Sequence, residues 1–214
     1  MVNKSNYDLL ITKLDQFIRR FYINKLIRGS LYTLGLILAL FLLFNILEYN
    51  FYFSTSVRKI LFGGFIASSV VALVAWVIIP LSKYFSLGRT ISHERAANII
   101  GDHFKGVEDK LLNVLQLKKQ NEHSENKALI EASINQKTEE ITPVPFKTAI
   151  DLKKNRKYLK YAMPPLLLFL VIIFAAPSII KDGTHRLINN SEEFEREAPY
   201  RFVMAEGDLS VIQY

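Results

Sequence analysis

The chain has 214 residues, half of them hydrophobic, with a formal net charge of +7 and no cysteine. Its length suits one domain of average size, yet the apolar residues are bunched in a way that excludes a simple water-soluble enzyme and a disordered tail. The missing cysteine excludes disulfide-stapled modules, thiolate metal sites and cysteine nucleophiles.

The leader, residues 1–28, carries Leu10, Leu14, Phe17 and Phe21 at spacings of 4, 3 and 4, with Ile11 and Ile18 alongside. That stripe predicts an amphipathic helix running to about Lys25. Arg19, Arg20, Lys25 and Arg28 stand just before the first apolar run and place the helix on anionic headgroups. Packing on another part of the chain, or continuation into the first span, are the competing readings.

Three stretches lack any charged residue: 29–47 (19 residues), 60–82 (23) and 161–180 (20). Each matches the roughly 20 residues that a helix needs to cross a hydrocarbon core about 30 Å thick. Including their aromatic and basic anchors, the expected transmembrane helices are 29–53, 60–82 and 158–180, with a short link at 54–59. Tyr49, Phe51, Tyr52 and Phe53 mark one boundary, and Lys83–Tyr84 and Lys157–Tyr158 with Lys160–Tyr161 mark the other. No span has an ionisable centre, which argues for anchors rather than transport pathways. Asn45, Ser68 and Ser69 are their most polar groups. Gly63, Gly64, Ala67 and Ser68 form a small-residue ridge, the expected helix-packing face. Pro164 and Pro165 are expected in the first turn of the third span, and Pro177 is expected to kink or end it.

Charge sets the orientation. Residues 1–28 hold six Lys/Arg against two acids and 83–160 hold fifteen against ten, whereas 181–214 hold four against seven. The positive-inside rule puts the N-terminus and the 83–160 segment in the cytoplasm, and the short link and the acidic C-terminal stretch on the opposite side.

The 83–157 segment predicts a small helical domain. A helix capped by Ser92 runs through His103 and buries Ala96, Ile99 and Ile100. Gly106 breaks the chain. A second helix runs from Val107 to Lys119, with Val107, Leu111, Val114 and Leu115 inward. A third covers about Glu125 to Ile141, with Leu129, Ala132 and Ile141 as core contacts and Ile130 and Ile134 on the neighbouring face. Pro143 and Pro145 stop it. Lys105, Lys110, Lys118 and Lys119 form the candidate interaction surface of this domain. Phe146, Ala149, Ile150 and Leu152 lead into the third span beside the basic run Lys153, Lys154, Arg156 and Lys157.

Residues 181–214 change character. Tyr200, Phe202 and Met204 alternate, a Glu206-Gly207-Asp208 turn follows, and then Leu209, Val211 and Ile212. This predicts the first hairpin of an extracytoplasmic β domain, and two strands alone are marginal in water, so a longer protein is expected. The fold class is therefore an all-α membrane protein with three transmembrane helices and a small cytoplasmic helical domain, followed by the start of a β domain.

Catalytic motifs fail residue by residue. Gly101 to Gly106 has phosphate-loop glycine spacing, but Val107 and Glu108 replace the required Lys and Ser/Thr. His93-Glu94 opens like a zinc-protease helix, but Ala97 replaces the second histidine. Asp102 and His103 are neighbours that diverge by about 100° on a helix. The basic residues follow membrane boundaries rather than a groove with aromatics, against nucleic-acid binding. No catalytic residue, cofactor or metal is assigned.

The run Ile91-Ser92-His93-Glu94-Arg95-Ala96-Ala97-Asn98-Ile99-Ile100-Gly101-Asp102-His103-Phe104, followed by Val107 to Leu117, resembles a segment of a family of large inner-membrane proteins of Bacteroidota whose function is unknown. The leader Leu14 to Arg20 and the segment Phe53 to Phe62 are similar to that family as well. The resemblance implies three N-terminal spans, a cytoplasmic helical insertion and a long periplasmic region that begins with immunoglobulin-like β structure. It transfers no catalytic residue.

The expected function is a non-catalytic anchor or scaffold subunit of a cell-envelope complex. Its expected partners are anionic lipid headgroups, other envelope membrane proteins and a second copy of the chain, with no nucleic acid and no small-molecule substrate. An accessory subunit of a transporter or secretion machine, and a transmembrane sensor, are the alternatives.

Overall fold

The structure, a computed structural model, describes residues 5–85, 90–121 and 127–194. Among these residues every regular element is helical. The expected hairpin at Tyr200 to Ile212 lies outside the described residues.

The first helix, α1, spans Asn6–Phe51, 46 residues without a proline. At 1.5 Å per residue it is about 70 Å long, more than twice the thickness of a hydrocarbon core. Ser5 caps it in a reciprocal box: its side chain accepts from the helix amides while the Asp8 carboxylate accepts from the Ser5 amide. The leader and the first span are thus one helix, not two elements joined at residue 28. No proline lies between them, and Gly29 at the junction is tolerated, so α-helical hydrogen bonding continues through the charge boundary. Tyr52, at φ 50°, ends it in the left-handed region and donates its amide to the Glu48 carbonyl. For a bulky residue this conformation is costly, and the Arg186 guanidinium 3.8 Å from the Tyr52 ring centroid helps to hold it.

The second helix, α2, spans Thr55–Tyr84 and returns antiparallel to α1. Its turn Val74–Ile78 is π-helical. Pro80 follows, and its missing N–H takes the regular donor away from the Trp76 carbonyl. That carbonyl presses against Gly29 of α1, where any side chain would collide with it. Tyr161 repeats the device. Pro165 has no N–H to offer the Tyr161 carbonyl, and a Cβ built on Gly35 would stand 2.5 Å from that oxygen. Two proline-freed carbonyls therefore dock on two glycines of α1. Small residues let helix backbones approach in a membrane, and the residues used here are Gly29 and Gly35. The predicted ridge of Gly63, Gly64, Ala67 and Ser68 is not used within this chain: a Cβ on Gly63 or Gly64 meets no atom within 4 Å.

Three helical stretches are long and apolar enough to cross a membrane: Asn6–Phe51, Thr55–Tyr84 and Phe146–Ala175. The third begins in 3-10 turns, Phe146–Ala149 and Leu152–Tyr158, and becomes α-helical later. Helices α3 (His93–His103), α4 (Glu108–Asn121) and α5 (Lys127–Ile141) come between α2 and it. Helix α6 (Leu159–Ala175) is its α-helical part. Pro164 and Pro165 fall in the second turn of α6 rather than its first, because the helix starts at Leu159. Pro177 ends the span as expected, by opening a further helix, α7 (Pro177–Ile188). The stretch from Lys181 is therefore helical up to Ile188. Gly35–Tyr161, Phe41–Phe169 and Asn45–Gly183 are successive contacts, so α6 and α7 run parallel to α1.

The helical domain packs around the first half of α1. Leu10, Leu14, Phe17, Ile18 and Tyr22 form one buried core with Ala96, Ala97, Ile100, Leu111, Val114, Leu115, Ile134, Ile141, Phe146 and Ile150. The apolar stripe of the leader therefore faces protein. Ser92 caps α3 as expected, accepting from the Arg95 amide at 3.2 Å, and Gly106 makes the break with φ +81°. In α5 the inward face is Ile130, Ile134, Thr138 and Ile141. Leu129 is 73% exposed and Ala132 is exposed too, contrary to expectation. Thr138 supplies the missing member of the stripe, and a polar residue there hides the 4-4-3 spacing.

Candidate functional site

Two polar constructions sit at opposite ends of α1. At the turn end, next to Tyr52, the Arg58 Nε donates to the Glu48 Oε1 at 2.8 Å, and both side chains are essentially fully buried. The Arg58 Nη1 donates to the Glu192 carbonyl at 2.7 Å, and the Phe194 ring lies 4.9 Å from the guanidinium. One arginine thus ties α1, α2 and the segment after α7 together. A turn higher, the Asn45 Oδ1 accepts from the Thr184 hydroxyl at 2.8 Å and the Asn45 Nδ2 donates to the Phe41 carbonyl at 2.8 Å. Gly183 lets α7 reach that amide, since a Cβ there would lie 2.7 Å from the Asn45 Oδ1. The Glu48 Oε2 is buried without a protein partner. A buried pair must have its charges and hydrogen bonds well matched to offset desolvation, and the open Oε2 leaves this pair one hydrogen bond short.

The sequence analysis assigned no role to Glu48 or Arg58. A signal was present: opposite charges flank a short turn between two apolar helices, which places them face to face.

At the domain end, α1 is stitched to its surroundings by polar contacts. The His93 Nε2 meets the Asp15 carboxylate at 2.9 Å, and the Tyr22 hydroxyl accepts from the Ile91 amide at 3.0 Å. The Asn155 Nδ2 donates to the Asn24 Oδ1 at 2.7 Å. The Arg20 Nε donates to the Ile150 carbonyl at 3.1 Å, and the Lys13 ammonium donates to the Thr142 carbonyl. Arg20, expected at the headgroups, is thus spent on protein. Arg19 is exposed, as are Lys153, Lys154, Arg156 and Lys157. Tyr32 gathers Trp76, Tyr158 and Tyr161 around it, with ring centroids 5.3 to 5.7 Å away.

The four lysines of the predicted interaction surface are largely engaged within the chain. Lys110 pairs with Glu140 at 2.8 Å and Lys119 with Glu94 at 2.6 Å, while Lys118 lies over the Tyr7 ring. Lys105 is exposed. Exposed pairs of this kind contribute little to stability. The Glu94 carboxyl is nonetheless held down to about 2, first by its hydrogen bond from Lys119, then by its own amide and the Ser92 hydroxyl. A carboxylate with a depressed value favours the folded state above its ordinary value of 4.5, and that contribution disappears as pH falls toward 2. Carboxyl-carbon NMR titration of Lys119→Met is expected to return the Glu94 midpoint toward the ordinary range, and an unmoved midpoint would assign the shift to the helix terminus alone.

His103 is exposed and its ring packs on Phe104 at 4.8 Å, while Asp102 beside it is exposed. The structure does not bring the two into a catalytic pair.

Searches against protein-family models, curated proteins and solved structures found no match to the chain.

Proposed function

We propose that the chain is a non-catalytic anchor and scaffold of a bacterial cell-envelope complex, set in the inner membrane with its N-terminus in the cytoplasm and its C-terminus in the periplasm. The observation that carries this reading is the continuity of α1. One proline-free helix supplies part of the core of the helical domain, continues through a stretch long and apolar enough to cross a bilayer and ends in the Glu48–Arg58 clamp. A partner docked on either side is thereby coupled to a single rigid rod. The charge bias supplies the orientation.

The accessory-transporter reading draws less support. Asn45 spends both polar atoms inside the chain, and the Ser68 hydroxyl donates to its own helix at the Gly64 carbonyl, 2.7 Å away. In both, the polar groups are satisfied by the chain's own atoms.

In-cell crosslinking and mass spectrometry of the native protein test the scaffold. Crosslinks from Lys105 to a cytoplasmic protein, together with crosslinks from Lys181 to a periplasmic one, are the expected result. Recovery of self-crosslinks alone overturns the bridging role.

A further inference from the structure

At the domain end of the spans, α1 and α2 enclose an open cleft of about 290 Å³. Lys25 and Arg28 enter it from α1 and Lys83 from α2, and Tyr22, Tyr32 and Trp76 form walls. No acidic side chain lines it, and among the described residues none of the three cations is in an ion pair. Like charges gathered without a counter-ion repel one another, and solvated lysines ordinarily splay apart. The Trp76 carbonyl is seated on Gly29, which brings α2 against α1 beside all three, while the Lys25 ammonium lies over the Phe21 ring at 4.9 Å and the Arg28 guanidinium over the Tyr158 ring at 5.7 Å. The π-helical turn Val74–Ile78 provides the wall that carries Trp76, and such turns recur at functional sites.

Depth identifies the ligand class. Lys25 and Arg28 occupy the last turn before the charge-free run that begins at Gly29, and Lys83 follows directly on the run that ends at Ser82. This is the level of phospholipid phosphates, where tyrosine and tryptophan rings also settle. Basic pockets between spans at this level suit anionic headgroups. We propose that the cleft formed by Lys25, Arg28 and Lys83 is a specific binding site for the phosphate group of one anionic phospholipid. The proposal rests on α1 and α2 spanning a membrane and is independent of the scaffold reading. It differs from general attraction to a charged surface, since residues from two helices must converge on one group.

Native mass spectrometry of the delipidated full chain tests it, with phosphatidylglycerol or phosphatidylcholine added and with inorganic phosphate as competitor. One phosphatidylglycerol per chain is expected to be retained, and phosphatidylcholine to be retained more weakly. With about 5-fold per cation, Lys83→Gln lowers retention about 5-fold and Lys25→Gln/Arg28→Gln/Lys83→Gln about 100-fold. Lys153→Gln/Lys154→Gln/Arg156→Gln, which removes the same charge elsewhere, leaves retention intact. Circular dichroism checks that the variants stay helical, and the single variant keeps the test decisive if the triple one does not fold. Equal loss in the Lys153 set, or equal retention of phosphatidylcholine, overturns the site. Retention of inorganic phosphate without retention of phosphatidylglycerol assigns the cleft to a free anion and overturns the lipid.

Discussion

Replacing Glu48 by alanine is expected to destabilise the protein by about 3–5 kcal/mol, the cost of leaving a buried charge without its partner. Arg58 has no second carboxylate among the described residues, and its Nη1 is already committed to the Glu192 carbonyl. The loss is therefore not repaired by a change of partner. The expected consequence is local first: without Glu48 the guanidinium is no longer held in place, its bond to the Glu192 carbonyl weakens, and the 189–194 segment becomes a protease site while the spans stay helical. Denaturant titration in bicelles measures the first effect and limited proteolysis the second. The double variant Glu48→Leu/Arg58→Met removes both charges and is expected to recover most of the stability, because matched apolar replacements of buried pairs are often neutral or better. Wild-type stability in Glu48→Ala would mean that water reaches the pair and that no clamp exists.

Phe17→Ala is expected to cost about 3–5 kcal/mol, as for other fully buried aromatic truncations. Phe17 is wholly buried between α1 and the helical domain. Its removal opens a cavity at the interface that α3, α4 and α5 share with the leader. Hydrogen exchange is expected to rise in residues 8–24 and in α3 while residues 30–50 remain protected, since the spans have their own packing on α2 and α6. Leu9→Ala, one position off the stripe and 42% exposed, is the control and should change little. Equal exchange in both variants would show that the leader does not depend on the domain for its order.

These two outcomes mark the boundary between what was legible in the chain and what was not. The three apolar runs, the Ser92 cap, the Gly106 break and the arrest of the third span at Pro177 are local statements. Each depends on a residue's own hydrogen-bonding capacity or on a run of side chains long enough to meet a bilayer. They appear in the structure where the residues put them. The amphipathic stripe from Leu10 to Phe21 was equally legible, but not its partner. An apolar face is satisfied by lipid or by protein, and hydropathy alone does not distinguish them. Ile134, Ile141, Ile100 and Val114 supplied the alternative only once α3 to α5 had been brought together.

The same reasoning explains the glycines. Gly63 and Gly64 looked like the packing face because small residues permit close approach. Close approach also needs something to approach. In this protein that something is a carbonyl oxygen freed by a proline on another helix, which places the contacts at Gly29 and Gly35. In α5, Thr138 took an inward position that a binary pattern assigns to an apolar residue, and the expected face was displaced to Leu129.

The sequence by itself determined how many helices can span a membrane, where most of them start and stop, and which surfaces are apolar, because those properties belong to short stretches and to single residues. The tertiary structure alone decided that the leader is buried in protein, that Glu48 and Arg58 form a buried pair, and that Lys25, Arg28 and Lys83 share one cleft. Each of these depends on residues far apart in the chain meeting at a particular register, and register is set by the packing of whole helices rather than by any local preference.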